Sequence, residues 1–321
     1  MASFYETVGF AFVWLSLLWL LFKLLKGIWT SFLGAAFGLN HKLQARANSW
    51  AVVTGATDGI GLEYAKQLAS RGFSILLISR NPDKLQQTQQ LIKSQYGKCK
   101  EVRTIAVDFG KTDIYDVIER EINSLDGDVD VLVNNVGISY TYAEYFSKIP
   151  NRLQLIEQII NINIVSCTRM IDLVIPQMEK RKSGVIINVS SLSATYPSPL
   201  LSLYAASKAY IDFLSRALQI EYEDKGLIIQ SILPAFVQTK MSKIRKASIM
   251  VPTPSTYVKS ALNTLGLETR SYGYWAHKLQ GFICDVFITG IMGADYNSRL
   301  IFKSLKEVRR KYYKKNELKE E

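Results

Sequence analysis

Cysteine and histidine are scarce in this chain of 321 residues. Its three cysteines, Cys99, Cys167 and Cys284, are odd in number and far apart, and no Cys-x-x-Cys pair occurs. The only histidines are His41 and His277. Such usage argues against a disulfide framework and against a metal site, and suits a reducing compartment. Zinc-finger spacing and a basic-region heptad are also missing, so a net charge of +11 does not point to nucleic acid. That charge points instead to an anionic membrane surface or to anionic ligands. One glycosylation sequon, Asn188-Val189-Ser190, lies inside the apolar run "GVIINVSS" and is read as unused.

What is abundant is apolar: 48% of the residues are hydrophobic and 21% charged, enough for a sizeable core or for membrane contact. The length suits one large α/β domain with appendages. The ends differ from the middle. Thr7 to Phe22 carries no charge, Glu6 precedes it, and Lys23, Lys26, Lys42 and Arg46 follow. The run is slightly short of the ~20 residues that a spanning helix needs, but Leu24, Leu25 and the stem of Lys23 extend it. A cleaved signal peptide would place its basic residues first. The opposite polarity predicts an uncleaved transmembrane anchor with the main domain in the cytosol. Residues Gly27 to Leu39 are also apolar, and fit either an interfacial segment or a shallow second insertion. Near the other end, Phe282 to Ala294 is apolar but contains Asp285 and is too short to span, which predicts a buried or interfacial helix. From Lys303 to Glu321 the chain is strongly basic, fitting a solvated tail or one drawn to lipid headgroups; Lys319 near its end does not make a clear dilysine retrieval signal.

Between the ends, apolar β-branched runs alternate with helical patterns. Strands are predicted over 50–55, 73–79, 102–109, 129–137, 184–191 and 227–234, with helices over 61–72, 82–96, 153–180 and 204–225. Asn81-Pro82 is a helix cap and first turn. This alternation predicts an α/β fold: a doubly wound, Rossmann-type parallel sheet covered on both faces. Ligands of such sheets bind at the carboxyl ends of the strands, so the residues just after each strand are the candidates.

After the first strand stands "TGATDGIG", with Thr54, Gly55, Asp58, Gly59, Ile60 and Gly61. Its glycines permit a tight turn and close approach to a phosphate at the following helix's amino end, although the spacing is GxxxGxG rather than GxGxxG. Arg80 follows the second strand, where an arginine accommodates a ribose 2′-phosphate. That points to NADPH. Asp108 ends the third strand, placed either to accept from an adenine amine or to cap the next turn. Asn135 lies in "NNVG" after the fourth. Tyr204 and Lys208, four residues apart in "LYAASKAYIDF", share one helix face.

In order, these landmarks resemble the short-chain dehydrogenase/reductase family over roughly residues 48 to 270. The resemblance implies a catalytic Tyr204, with Lys208 beside it and gripping the nicotinamide ribose. Family spacing selects Ser191, thirteen positions before the tyrosine, over Ser190, and Asn163 over Asn161. Ser191 would hold the substrate carbonyl, and Asn163 a water linking Lys208 to solvent. "LPAFVQT" looks like the segment that places Val237 and Thr239 against the nicotinamide amide, with Ala235 where glycine is usual. A lysine cation one turn away, together with the positive nicotinamide of the oxidised cofactor, is expected to lower the tyrosine pKa from about 10.

"WAVVTGATDGIG", "LLISR", "AVDF", "LVNNVGISY" and "GYWAH" look more closely like the branch that holds very-long-chain 3-oxoacyl-CoA reductases and 17β-hydroxysteroid dehydrogenases of types 12 and 3. The resemblance implies an endoplasmic reticulum enzyme using NADPH, reducing 3-oxoacyl-CoA in fatty acid elongation or 17-keto steroids such as estrone. The basic "KMSKIRKASIM" fits CoA phosphates or a plain surface loop near the membrane. A non-catalytic NADPH-binding scaffold of lipid enzymes is the reading from another class. A homodimer and association with fatty acid elongation enzymes are compatible with the sequence without being specified by it. The organisation expected is an anchor and linker over 1–47, a reductase domain over 48–270, and a membrane-associated segment with a basic tail over 271–321.

Overall fold

The computed structural model describes residues 2–316. Positions 317–321, including Lys319 of the retrieval pattern, lie outside the described residues. The chain begins with helix α1 (Ala2–Ile28), which continues through a π-turn, Trp29–Leu33, as far as Ala36. The 34-residue run Ser3–Ala36 is long and apolar enough to cross a membrane, and its most apolar stretch is unburied. Its carboxyl end is not free. Thr30 is buried and takes a hydrogen bond from Lys278 Nζ, and Gly34 sits so close to Leu267 that a Cβ would lie 2.7 Å from it. The apolar segment from Gly27 is thus, as far as Ala36, a continuation of the same helix, seated on the main domain.

Seven strands follow: β1 (Ser49–Thr54), β2 (Ser74–Ser79), β3 (Val102–Ala106), β4 (Asp128–Asn134), β5 (Gly184–Val189), β6 (Leu227–Ile232) and β7 (Arg270–Ser271). They form one sheet in the order β3-β2-β1-β4-β5-β6-β7, every pairing parallel. Parallel neighbours need crossover helices, and these cover both faces. The helices are α2 (Gly59–Ser70), α3 (Pro82–Gln95), α4 (Tyr115–Asn123), α5 (Arg152–Ile159), α6 (Ser166–Arg181), α7 (Ser202–Tyr222), α8 (Pro254–Leu262), α9 (Trp275–Ile283) and α10 (Ala294–Lys315). Alternate strand residues feed two cores. Ala51, Val53, Ile75 and Leu77 pack with Tyr64, Leu68 and Tyr257 on one face, while Trp50, Val52, Leu76 and Ile78 pack with Ile118, Met170 and Val174 on the other. The order reverses between β1 and β4, which opens the crevice where ligands of such sheets bind.

Local chemistry explains most starts and stops. Asn81 caps α3 by accepting from Lys84 N at 2.9 Å, with Pro82 in the first turn. The helix predicted over 153–180 is broken into α5 and α6 by a π-turn at Ile160–Val165, and this turn carries Asn163. The strand β7 straddles the boundary expected at residue 270, and His277 beyond it is fully buried. The basic tail is helical as far as Lys315 and docked rather than loose: the Arg309 guanidinium reaches Glu144 at 2.7 Å, both buried. Asn188 is likewise fully buried, bonded to Asn134 and Ser215, which bars its sequon from use.

Candidate active site

The loop from β1 into α2 is tightly fastened. The fully buried Thr54 hydroxyl accepts from Asn135 N at 3.0 Å and Val136 N at 3.1 Å. The Asn135 amide in turn donates to Thr54 O at 3.1 Å and Gly55 O at 3.2 Å. Both residues were expected to bind a cofactor; the bonds of their side chains hold the loop's shape. Two glycines are required by that shape. Gly55 has φ of 63°, and a Cβ there would lie 2.9 Å from Asn135 Nδ2. A Cβ on Gly61 would collide with Asn135 Nδ2 and Gly55 O. Asp58 caps α2, accepting from Gly59 N at 2.9 Å, and pairs with Lys240 at 2.6 Å. The Ile60 side chain packs against the core, so any ligand contact it makes runs through its backbone. The open cradle at the amino end of α2 suits a phosphate.

Arg80 is exposed at the end of β2 and engages no protein group among the described residues. Beside it, Ser79 and Thr57 share a hydrogen bond of 3.1 Å that the sequence reading did not single out. Asp108 is exposed and accepts from Gly110 N at 3.0 Å, the turn-capping alternative. After β6, Val237 is buried in the core while Thr239 faces Gly59; a Cβ on that glycine would sit 3.1 Å from Thr239 Cγ2. His277 braces this segment: its Nδ1 accepts from Ala235 N at 3.3 Å, which fixes the tautomer whose Nε2–H donates to Phe236 O at 3.1 Å. Burial pushes the imidazole pKa down to about 4, so it is neutral.

The catalytic candidates converge from β5, the π-turn and α7. Ser191 stands two residues past the end of β5, its hydroxyl accepts from Ser193 Oγ at 2.8 Å, and it faces the Tyr204 phenol. Ser190, its neighbour, is buried and spends its hydroxyl on Lys208 O at 2.7 Å. Lys208 Nζ is buried, donates to Val189 O at 2.9 Å, and lies 6.0 Å from the Tyr204 ring centroid. Burial lowers its pKa to about 8. Gly137 of the NNVG turn makes room for it, since a Cβ there would lie 3.2 Å from Lys208 Nζ and 3.4 Å from Asn163 Oδ1. Asn163 is fully buried: its amide donates to Ile138 O at 3.0 Å and Ser207 Oγ at 2.9 Å, and its oxygen accepts from Ile138 N at 2.8 Å. Its side chain is therefore a brace. Asn161 points elsewhere, to Gly110 O at 3.0 Å.

Without the cofactor, burial raises the Tyr204 pKa, and Ser191 offsets this only in part. Lys208 bonds to Val189 O rather than to the phenol, and so gives it no direct bond.

The loop after NNVG closes over the site. Tyr140 Oη accepts from Leu203 N at 3.1 Å, one residue from Tyr204. Tyr142 stacks on Tyr312 of α10 at 4.2 Å, so these tyrosines serve in part as docking points for the carboxyl-terminal helix. Tyr196, in the loop between Ser191 and Tyr204, donates to Asp285 Oδ1, which accounts for the acid inside the apolar 282–294 segment.

The sequence profile of the short chain dehydrogenases matches residues 49–249. The chain belongs to this family. The short-chain dehydrogenase fold and its ketoreductase chemistry therefore apply, and the full-length relatives are more specific. Very-long-chain 3-oxoacyl-CoA reductase-B of Danio rerio is 49% identical over 272 residues, covering 84% of this chain and 85% of the relative. The Homo sapiens very-long-chain 3-oxoacyl-CoA reductase is 50% identical over 234 residues, covering 73% and 74%. Among solved structures, a short-chain dehydrogenase from Sphingobium yanoikuyae in complex with NADPH superposes with a TM-score of 0.58 at 25% identity, over 65% of this chain and 80% of that one. A 7beta-hydroxysteroid dehydrogenase superposes with a TM-score of 0.70 at 22% identity, over 79% and 96%, and shares the fold.

Proposed function

We propose that this short-chain dehydrogenase reduces the 3-keto group of very-long-chain 3-oxoacyl-CoA to a 3-hydroxyl with NADPH, at an endoplasmic reticulum membrane and facing the cytosol. The observation that carries the reading is the meeting of Ser191, Tyr204 and Lys208 at one strand end, in a chain about half identical to reductases of that name. The glycine cradle and the unengaged Arg80 fit NADPH. The cofactor supplies the hydride that goes to the carbonyl carbon. Tyr204 Oη gives the proton to the carbonyl oxygen, so that ketone, hydride and proton sum to the alcohol. Ser191, beside that phenol, holds the carbonyl oxygen. The Lys208 ammonium stabilises the phenolate left behind and would bind the nicotinamide ribose of the cofactor, while Asn163 and Ser207 hold the helix and turn in register. When NADPH is bound, Gly59, Gly61 and Ile60 would hold its pyrophosphate through backbone N–H groups, and the segment with Val237 and Thr239 would border its nicotinamide.

Membrane attachment through α1 is supported by its length and unburied surface. The exposed Ile283, Phe287, Ile291 and Met292 form a second apolar face, on the segment that continues α9, and α9 is the helix whose Lys278 touches Thr30. Steady-state NADPH oxidation by the solubilised full chain is the test, with 3-oxoacyl-CoA of increasing chain length and, separately, estrone. Rates that rise with chain length support the proposal. Preference for estrone would move the enzyme to steroid reduction with the chemistry unchanged, and no turnover on either would leave a cofactor-binding scaffold.

A further inference from the structure

An open cleft of about 920 Å³ lies beside the cofactor cradle, walled by Asp58 and Gly59 on one side and by the loop after β6 on the other. Five cations reach it from separate parts of the chain: Lys66 from α2, Lys240, Lys243 and Arg245 from the loop, and Lys315 from the last turn of α10. Two acids also line it. Asp58 is taken by Lys240, and Glu63 accepts from Gln67 at 2.8 Å. Lys66, Arg245 and Lys315 have no carboxylate partner among the described residues. Gathering like charges with fewer counter-charges is unfavourable unless an anion joins them.

The cleft also shares a wall with the catalytic site. Lys243 donates to Thr141 O at 2.8 Å, next to Tyr140, whose hydroxyl bonds the backbone one residue before Tyr204. Lys243 further sits 5.9 Å over the ring of Tyr312, tying the same wall to α10. The docked helix, held by Arg309 on Glu144, is what brings Lys315 to the rim.

We infer that this cleft binds the phosphates of the substrate's nucleotide, the 3′-phosphorylated ADP of a CoA thioester, while the acyl end lies at Tyr204. The inference rests on the proposed reduction of 3-oxoacyl-CoA. Its ligand chemistry, a nucleotide polyphosphate, is shared by the cofactor, whose cradle meets the cleft at Gly59 and Thr239 and whose 2′-phosphate is assigned to Arg80, which does not line the cleft.

The test uses the solubilised full chain with Arg245→Ala combined with Lys315→Ala, both exposed and neither within the catalytic machinery, and Lys66→Ala as a second variant. Each is assayed on a long-chain 3-oxoacyl-CoA and on the matching 3-oxoacyl-pantetheine thioester, with KM for NADPH measured in parallel. The site predicts KM for the CoA thioester up by about tenfold or more for the double variant, as loss of charge-assisted phosphate contacts gives, with the pantetheine thioester and NADPH unchanged. A wild-type enzyme with equal KM values on both thioesters, or variants with an unchanged KM for the CoA thioester, would overturn the site and leave the proposed function standing. A raised KM for NADPH would overturn it by giving the cleft to the cofactor. A wild-type enzyme that reduces neither thioester would end both proposals.

Discussion

Tyr204 and Lys208 carry opposite consequences of the same burial: the phenol is pushed up and the ammonium down, to about 8. A high phenol pKa keeps the proton in place at neutral pH for donation during reduction. Lys208→Ala, which removes the cation facing the developing phenolate, is expected to lower kcat by about 100-fold or more and to raise KM for NADPH. Kinetics in both substrates check this. His277 gives a separate effect on stability. Its pKa falls from 6.5 to about 4 on folding, so the fold favours the neutral ring. The contribution is complete above pH 6.5 and is lost as pH falls toward 4, amounting to roughly 3 kcal/mol across that window. Urea unfolding of the solubilised protein at a series of pH values should show that loss, and His277→Asn should flatten it.

The glycine loop and the docked helix α10 show what the chain revealed at the level of elements. All six longer strands, the helix cap at Asn81 and the glycines of the first turn were legible because their signals are local: alternating apolar runs, a cap, a turn residue. Gly61→Ala is expected to abolish NADPH binding, since the new methyl group would collide with Asn135 and Gly55 O, while the far-ultraviolet circular dichroism stays unchanged. Fluorescence titration with NADPH checks it. The two-residue β7 is too short for any pattern. Helix α10 looked like a solvated basic tail because its anchor is non-local: Arg309 meets Glu144 across 165 positions, and Tyr313 meets the same carboxylate. Burial raises the Glu144 pKa, and the bonds from Arg309, Tyr313 and Tyr145 N outweigh it, leaving the carboxyl below its usual range. Glu144→Ala should therefore cost about 3 kcal/mol in urea unfolding, the low end for breaking a buried ion pair.

At the scale of the whole molecule, α1, the apolar face near Ile283 and the active-site mouth are joined by contacts that no local pattern encodes. Thr30 meets Lys278, and Tyr196 in the catalytic loop meets Asp285. Reading the sequence by strand ends brought out the residues proposed to do the chemistry, but nothing local showed that the Thr54 and Asn135 side chains fasten the glycine loop. It also missed His277 behind Ala235. Removing residues 1–28 should not release the protein fully: the exposed Phe287, Ile291 and Met292 predict residual flotation with liposomes, reduced further by Phe287→Ser with Ile291→Ser. The central claim is that Tyr204 delivers the proton in an NADPH-dependent reduction of a long-chain 3-oxoacyl-CoA. Its most direct test is NADPH oxidation on that substrate by the wild-type enzyme beside Tyr204→Phe. Wild-type turnover, a loss of about 100-fold or more in the variant, and unchanged NADPH affinity are the predicted result. A variant that turns over at the wild-type rate would contradict the account.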